Sequence, residues 1–407
     1  MERLNIDKRH FCLGCGLCAT ALGPGRCRMQ MGTDGFYHPE VEQPLSADED
    51  SLVSRLCPGI HVEGEGQGGY WGPMLAIAEG WSADAAIRHN AASGGVVTAL
   101  ALYLLESGQV DGILQVGCDA DDWSLNRLQC STTRAEVLRC AQSRYAPALI
   151  FDRLQELLDA RTEGKAPVYA FVGKPCDIAG LKNFLRERPQ YQSRIRCTIS
   201  IFCAGMPSIN ATYQIVRESG RDDSPLRLRY RGVGWPGKFR AEWADGTALE
   251  RTYQQSWGGA LGRSLGIRCK ACPDGIGMLA DISVGDSWNT LNGYPDFTED
   301  EGRCFVMLRT AVGQQLYNDA IAAGYVVSRS FDVDHIPLMQ AYQYKRRKST
   351  GWRIFSLQLQ THGMLRFRHI SVLRNALRDN PVDALKNFFG MFLRYRKACR
   401  QSNNNSL

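Results

Sequence analysis

The fold is decided by residues 167–188, PVYAFVGKPCDIAGLKNFLRER, where a short apolar run passes directly into an amphipathic one. Pro167–Val172 predicts a buried strand and Asp177–Arg188 predicts a helix, because the apolar period changes from continuous to helical. The two are joined at Gly173-Lys-Pro-Cys176. A strand that turns straight into a helix is the repeating unit of an α/β sheet.

The same alternation continues on both sides of this stretch. Arg196–Phe202 predicts a strand that ends at Cys203 and leads into a helix near Ser208–Ser219. Further strands are predicted at Met74–Ala78, Gly112–Gly117, Ala280–Gly285 and Cys304–Leu308, and further helices at Val96–Leu104, Leu149–Leu158 and Gln314–Ala323. Residues 226–256 indicate an antiparallel excursion that turns at Asp245-Gly246. The predicted fold class is therefore α/β, with a mixed sheet and flanking helices.

Composition limits the possible classes of protein. The chain has 407 residues, of which 44% are hydrophobic and 22% charged, and this excludes a mainly disordered chain. No apolar run reaches the ~18 residues that cross a bilayer, and the charged N-terminus has no apolar leader, so we expect a cytoplasmic protein. The 15 cysteines are an odd number in a long chain, which favours metal binding or redox chemistry over a disulfide framework.

Charge is distributed unevenly along the chain. Residues 341–407 hold 14 basic and 2 acidic residues, a net charge of +12, while residues 1–340 carry −6. The basic tail interleaves Arg and Lys with large apolar side chains. Two interpretations stay open: helices packed on the body, which we favour, or peripheral contact with an anionic membrane or a partner. Nucleic-acid binding is disfavoured because no binding motif accompanies the charge.

The first cysteine set is Cys12-Leu-Gly-Cys15-Gly-Leu-Cys18. This C-x2-C-x2-C spacing wraps three thiolates around a 4Fe-4S cluster, and the glycines let backbone N–H groups approach sulfur. In bacterial ferredoxins a fourth cysteine follows three residues later, where this chain has Leu22. Cys57, which precedes Pro58, is our first choice for the fourth ligand and Cys27 the second. A zinc site is the alternative.

A second set is formed by Cys176, Cys203, Cys269 and Cys272. Cys176 and Cys203 each follow a predicted strand where the next helix begins, so they face the same crevice, and the helix N-termini favour thiolates. Cys269-Lys-Ala-Cys272 is a C-x2-C pair that is ambiguous among zinc, dithiol and iron–sulfur chemistry. From the spacing alone, a second cluster and ordinary buried thiols both remain open.

A glycine turn precedes the helix that begins at Val96. Ser93 is placed to cap this helix, and Gly94 and Gly95 expose backbone N–H groups at its positive end, as phosphate groups require. A plain helix cap is the alternative. The turn and its following Thr98 are therefore a candidate cofactor-binding element.

Together these segments resemble the beta-subunit family of coenzyme F420 hydrogenases and dehydrogenases over residues 8–310. The resemblance is carried by the two cysteine sets and three further stretches: Ala91–Thr98, Gly173–Leu181, and Leu279–Asp286. It implies an FAD-dependent iron–sulfur oxidoreductase, with the second cysteine set as a second 4Fe-4S site. It also implies flavin contacts from Ser93, Gly94, Gly95 and Thr98, from Ser143-Arg144-Tyr145, and from Lys174, which stands where the family more often has threonine.

The resemblance also implies a division of the chain and a class of reaction. The expected units are a ferredoxin-like 4Fe-4S segment (1–72), a flavin-associated domain (73–165), a catalytic domain (166–330) and the basic helical tail (331–407). We expect electrons to pass between a ferredoxin-like carrier and a small organic acceptor or deazaflavin, because a flavin handles one or two electrons and a cluster one. The alternative is a zinc-stabilised binding protein without redox activity.

Overall fold

The computed structural model describes residues 2–64, 66, 68–119, 122–161 and 164–404. The cysteine-rich segment contains β1 (Glu2–Arg3), α1 (Asn5–Lys8), α2 (Leu17–Leu22), β2 (Cys27–Met31), β3 (Tyr37–Val41), α3 (Ala47–Leu56) and β4 (His61–Glu63). The body contains β5 (Ala76–Ser82), α4 (Ala85–Asn90), α5 (Val96–Glu106), β6 (Gly112–Cys118), β7 (Asn126–Ser131), α6 (Arg134–Arg139), α7 (Leu154–Asp159), β8 (Tyr169–Gly173), α8 (Pro175–Glu187), β9 (Ile195–Ile201), α9 (Ile209–Arg217), β10 (Arg227–Arg229), β11 (Phe239–Glu242), β12 (Ala248–Arg251), α10 (Ile267–Lys270), β13 (Ile282–Asp286), β14 (Asn289–Leu291), β15 (Tyr294–Asp296), β16 (Cys304–Leu308), α11 (Ala311–Ala322) and β17 (Val326–Ser330). The C-terminal part contains α12 (Ile336–Met339), α13 (Ala341–Thr361), β18 (Arg366–Arg368), α14 (Val372–Ala376) and α15 (Pro381–Asn404).

An eight-stranded mixed sheet organises the body. Its strand order is β17-β5-β16-β13-β9-β8-β6-β7. The four central strands β13, β9, β8 and β6 run parallel, and antiparallel strands extend both edges. The mixed α/β fold class is confirmed.

The predicted strand-to-helix unit forms the middle of this sheet. In β8, Tyr169, Ala170 and Phe171 are buried on both faces, as parallel strands covered by helices require. Helix α8 begins at Pro175, which suits the first helical position because its missing N–H needs no partner. The carboxyl ends of β8 and β9 are therefore neighbours, and Cys176 and Cys203 follow them directly.

Some predicted boundaries differ from the observed ones. The helix expected over Leu149–Leu158 begins only at Leu154, because Leu149 pairs with Arg127 and Arg153 adopts a left-handed conformation. Helix α15 includes the start of the polar C-terminal end, through Asn404, and residues 405–407 lie outside the described part. The glycine-rich connection at 63–69 likewise includes two positions, 65 and 67, outside it.

The C-terminal helices pack against the rest of the chain. Strand β18 pairs in parallel with β4 of the cysteine-rich segment, and Tyr395 of α15 stacks on Phe11 at 6.0 Å. Buried Leu357 and Met391 join the same core as Phe11. Where the structure describes the chain, no helix combines the length and apolar character that spanning a bilayer requires.

A buried imidazole ties the cysteine-rich segment together. His38 Nδ1 lies 2.8 Å from Asp7 Oδ1, and His38 Nε2 lies 2.8 Å from Asp34 Oδ1. Burial lowers the pKa of His38, but the hydrogen bonds to Asp34 and Asp7 outweigh it and raise the pKa to about 9. The side chain is therefore a cation held between two carboxylates at neutral pH.

Stability is expected to depend on His38 in the alkaline range. Because the folded pKa of about 9 lies above the unfolded value, the stabilisation is complete below pH ~6.5 and lost as pH rises through about 9. The loss is on the order of 2–3 kcal/mol. Anaerobic urea unfolding from pH 6 to 10 measures it. The H38Q variant should lose this dependence while H89Q, which changes an exposed histidine, keeps it; an unchanged slope in H38Q would contradict the assignment.

Candidate metal centre

The four thiols of the second cysteine set line one cavity. Cys176 follows β8, Cys203 follows β9, and Cys269 and Cys272 flank the end of α10. The cavity has about 460 Å³ of non-protein space, part of it open to solvent. Four thiols from three separate stretches of chain therefore surround a single space. The sequence placed Cys176 and Cys203 in the same crevice, and the resemblance added Cys269 and Cys272 to them.

A lysine–aspartate pair borders this cavity at the start of α8. Lys174 Nζ donates to Asp177 Oδ2 at 2.7 Å, and the same oxygen accepts the Lys174 backbone N–H at 2.9 Å. Burial lowers the pKa of Lys174, but Asp177 and then Cys176 raise it by more, so the ammonium is retained. Lys174, which the resemblance implied as a flavin contact, thus lies among the cysteines of the second set.

An arginine from the C-terminal helix α13 closes the other side of the cavity. Arg346 donates to the carbonyl oxygen of Cys203 at 2.8 Å and to that of Cys269 at 3.0 Å. Gln343 of the same helix also donates to the Cys203 carbonyl, at 2.9 Å. Arg346 is 5% exposed, so its charge lies next to the thiols and largely out of water. The basic tail therefore contributes a buried charge to this cavity.

The two cysteine sets are adjacent. Cys15 of the first set lines the same cavity as the second set. Arg268, 3% exposed, also lines it and donates to the carbonyl oxygens of Gly59 and Pro58, immediately after Cys57. Burial raises the pKa of both Cys57 and Cys269, and the positive charge of Arg268 offsets a small part of that rise. One buried guanidinium thus stands between the two sets.

Backbone N–H groups surround the sulfurs of the first set. Gly14 N–H donates to Cys12 Sγ at 3.3 Å, and Leu17 N–H donates to the Cys15 sulfur. Cys57 receives two such bonds, from Gly59 and Ile60. Hydrogen bonds to sulfur stabilise negative charge there and tune cluster potentials. These donors match the sequence expectation for glycine-containing cysteine turns.

Cys57 and Cys27 occupy different positions relative to the other thiols. Cys57 lies close enough to Cys12 and Cys15 to raise the pKa of each. Cys27 is buried and hydrogen-bonded to Cys18. No other cysteine contributes to the shift in the pKa of Cys27. Cys57 therefore lies near two cysteines of the C-x2-C-x2-C turn, and Cys27 lies beside the third.

Burial raises the pKa of thiols in both sets, which favours their protonated form when no metal is bound. Burial raises the pKa of Cys15 to about 12 and that of Cys203 to about 12, and it also raises the pKa of Cys176. The expectation that helix N-termini make Cys176 and Cys203 thiolates is wrong, because burial raises the pKa of both thiols and α9 begins only at Ile209, beyond Cys203. Loading a metal must therefore release protons from these sites.

The arrangement of ligands bears on the kind of metal group. Within the described ranges, no three His, Cys, Asp or Glu side chains are grouped so that they could hold a metal ion. Tetrahedral zinc needs four sulfurs about 2.3 Å from one point. A 4Fe-4S cluster takes one thiolate at each iron, so its ligands stand further apart around a cavity. The second set shares its cavity with three cations, Lys174, Arg268 and Arg346, which suits an anionic group held by thiolates.

The glycine turn before α5 is packed against strand β16. Cys304 Sγ lies 3.2 Å from Ser93 Oγ and 2.8 Å from the Ser93 carbonyl oxygen. A side chain at Gly94, where φ is +54°, would meet the Arg303 Cα at 3.0 Å. Gly94, Gly95 and Thr98 are buried. The turn therefore presents no open space in which a phosphate group could bind.

The Ser143–Tyr145 stretch lies on a different part of the body. The Arg144 guanidinium donates hydrogen bonds to Asn126 Oδ1 at 2.6 Å, to the Trp123 carbonyl oxygen at 2.7 Å and to the Leu228 carbonyl oxygen at 3.2 Å. The Tyr145 ring lies 4.8 Å from that of Trp257. These contacts join the stretch to the β10–β12 sheet. The structure does not bring it to the cavity-lining residues of the second cysteine set.

Sequence reasoning missed three charged residues of the centre. Asp177 was visible in principle, because it stands three positions after Lys174 and closes the start of α8. Arg268 precedes Cys269 and offered a weaker signal. Arg346 had none, since it is 74 positions from Cys272 and only the packing of α13 brings it to the cavity.

Comparisons with known proteins give consistent results. Models of the N-terminal and C-terminal parts of coenzyme F420 hydrogenase/dehydrogenase beta subunits match residues 77–155 and 168–333. The coenzyme F420 hydrogenase subunit beta of Methanosarcina barkeri is 25% identical over 63% of this chain and 81% of the relative. The F420-dependent formate dehydrogenase 1 subunit beta of Methanococcus maripaludis is 28% identical over 61% of this chain and 60% of the relative.

A solved structure shares the fold. A chain of the F420-reducing nickel–iron hydrogenase complex from Methanosarcina barkeri superposes with a TM-score of 0.51 at 21% identity. The match covers 70% of this chain and 95% of the other. At this identity the likeness concerns the fold alone.

Proposed function

The chain belongs to the coenzyme F420 hydrogenase/dehydrogenase beta subunit family, a family of oxidoreductases, and we propose that it relays electrons through two 4Fe-4S clusters. Cys12, Cys15, Cys18 and Cys57 would hold the first cluster, and Cys176, Cys203, Cys269 and Cys272 the second. When bound, the clusters would supply one-electron transfer, which no side chain of the chain provides.

One observation carries this proposal: Cys15 of the first set lines the cavity that is formed by the second set. Two sites this close make one continuous path for electrons. The path runs from the cysteine-rich segment to the carboxyl ends of the central strands, the edge where α/β proteins bind ligands.

The residues around the second site compensate charge and hold geometry. A cluster with four thiolates is an anion, and burying an anion is costly unless cations accompany it. Lys174, Arg268 and Arg346 supply those cations at the cavity. Asp177 fixes Lys174, and the two carbonyl bonds of Arg346 hold the Cys203 and Cys269 loops at a constant separation.

A flavin is proposed on family membership rather than on an open site. The elements expected to bind FAD are the Ser93–Thr98 turn and Ser143–Tyr145, and these already pack against protein. Flavin content measured on the purified protein tests the proposal directly. Flavin released by denaturation at about one per chain supports it, and a flavin-free active protein contradicts it.

The names of the relatives support a deazaflavin as the small acceptor. Curated relatives are named F420 hydrogenase and F420-dependent formate dehydrogenase beta subunits. We propose that this chain exchanges electrons between a ferredoxin-like protein, or another subunit of a complex, and a small acceptor such as a deazaflavin. Following the absorbance of coenzyme F420 with reduced ferredoxin as donor distinguishes a deazaflavin acceptor from another small molecule.

The decisive experiment is the metal content of anaerobically purified protein. Two clusters predict about eight irons and eight sulfides per chain and a visible spectrum that bleaches on reduction. The alternative, a zinc-stabilised protein without redox activity, predicts a colourless protein with stoichiometric zinc. Zinc without iron would contradict the proposal.

Replacing Cys57 separates the two candidate ligands of the first cluster. C57A is expected to lose about half of the iron, because Cys57 lies beside Cys12 and Cys15 and its sulfur accepts two backbone N–H bonds. C27A should keep its iron and lose only packing. Iron and sulfide assays on both variants give the answer. Iron loss in C27A with full content in C57A would assign the ligand the other way.

A further inference from the structure

The last helix exposes a stripe of large apolar side chains. Val382, Leu385, Phe389 and Leu393 of α15 are 57–68% exposed, and their spacing places them on one side of the helix. The opposite side is buried, through Met391 among others. An apolar stripe of three helical turns open to water is unusual for a helix already packed on a core.

The stripe continues onto the neighbouring helix α13. Phe355 is 51% exposed and Leu359 is 56% exposed. The Phe355 ring lies 5.7 Å from that of Phe388, which in turn lies 5.2 Å from that of Phe389. Six exposed apolar side chains of the two helices form the C-terminal face: Phe355, Leu359, Val382, Leu385, Phe389 and Leu393.

Basic side chains accompany this face. Lys386, Arg394, Arg396, Lys397 and Arg400 are exposed on α15 itself. The whole stretch 341–407 holds 14 basic residues and 2 acidic ones. Apolar side chains with flanking lysine and arginine are typical of helices that lie in the interface of an anionic bilayer.

We propose that the C-terminal face docks on an anionic phospholipid surface. The apolar side chains would enter the boundary between headgroups and acyl chains, and the lysines and arginines would contact phosphates. A partner protein that binds one helix in a groove does not suit this face. Helix α15 packs on α13 along its other side, and the exposed residues of both helices form one broad surface. The inference concerns location and stands apart from the electron relay.

Vesicle flotation of the full-length protein tests the proposal. Phosphatidylcholine vesicles containing phosphatidylglycerol should carry the protein upward at low ionic strength, and pure phosphatidylcholine vesicles should not. Raising salt should weaken binding, because exposed charges are screened beyond about 10 Å at 0.1 M.

Two variants and one control separate the parts of the face. L385E/F389E/L393E should abolish flotation, and K386E/K397E should weaken binding by roughly tenfold or more. L226E changes an equally exposed leucine, 63% accessible, beside β10 and should bind normally. Circular dichroism and the visible spectrum confirm that all the variants are folded.

Three results would overturn the inference. They are equal flotation with neutral vesicles, unchanged binding of the triple variant, and absence of flotation at low salt. Sedimentation velocity adds a further arm. The contradicting result is that vesicles fail to bind while the C-terminal face is needed for self-association or for retention of an acidic partner protein. The face would then be a protein-binding surface, and the proposal would be wrong.

Discussion

The C176A variant is expected to lose about half of the protein-bound iron and sulfide and to lose electron transfer by more than about 100-fold. Cys176 lies at the start of α8 with Cys203 and Cys272 close by. Without its thiolate one iron of the proposed cluster would have no protein ligand. Burial raises the pKa of the neighbouring Cys203 thiol, which makes an incomplete cluster hard to retain. Iron and sulfide assays, together with the spectrum of the reduced protein, measure the loss.

A matched control is available for this variant. Cys130 is half-buried in β7 and has no cysteine among the groups that shift its pKa, so C130A should keep full iron, sulfide and activity. Full iron content in C176A, with activity within about twofold of the unaltered protein, would remove the second cluster from the proposal.

Replacing Arg346 is expected to destabilise the protein and to lower the reduction potential of the second cluster. R346M removes two hydrogen bonds from a buried guanidinium to the carbonyls of Cys203 and Cys269, at a cost of about 2–4 kcal/mol in the free energy of unfolding. Losing a cation beside the cluster makes an added electron less favourable. The potential should fall by on the order of 50–100 mV.

The conservative variant separates the effect of the Arg346 charge from the effect of its hydrogen bonds to the Cys203 and Cys269 carbonyl oxygens. R346K keeps the positive charge but cannot span both carbonyls in the same way, so it should restore most of the potential and only part of the stability. Redox titration monitored by electron paramagnetic resonance reports the potential, and anaerobic urea unfolding reports the stability. An unchanged potential in R346M would show that the arginine acts on the loops alone.

Several candidate ligands of the centre were predictable because the signals that identify them lie in neighbouring residues of the sequence. The Cys12–Cys18 spacing, and the position of Cys176 and Cys203 just after apolar strands, depend on neighbouring residues alone. Parallel strands bring their carboxyl ends to one edge, and this predicts that Cys176 and Cys203 face the same crevice. The strand-to-helix unit at 167–188 was predictable for the same reason, since its periodicity lies in the chain itself.

The surroundings of those ligands were decided only by the tertiary structure. Nothing near Arg346 in the sequence indicates that α13 packs across the cavity, and the turn at Ser93 gives no sign that Cys304, 211 residues away, closes it. The sequence by itself determined the strand-to-helix order and the grouping of Cys12, Cys15 and Cys18, because spacing and periodicity are local. Only the folded chain decided which charges stand beside the thiols, how deeply the thiols are buried, and which faces remain exposed. Those properties depend on segments far apart in sequence that meet only when the core closes.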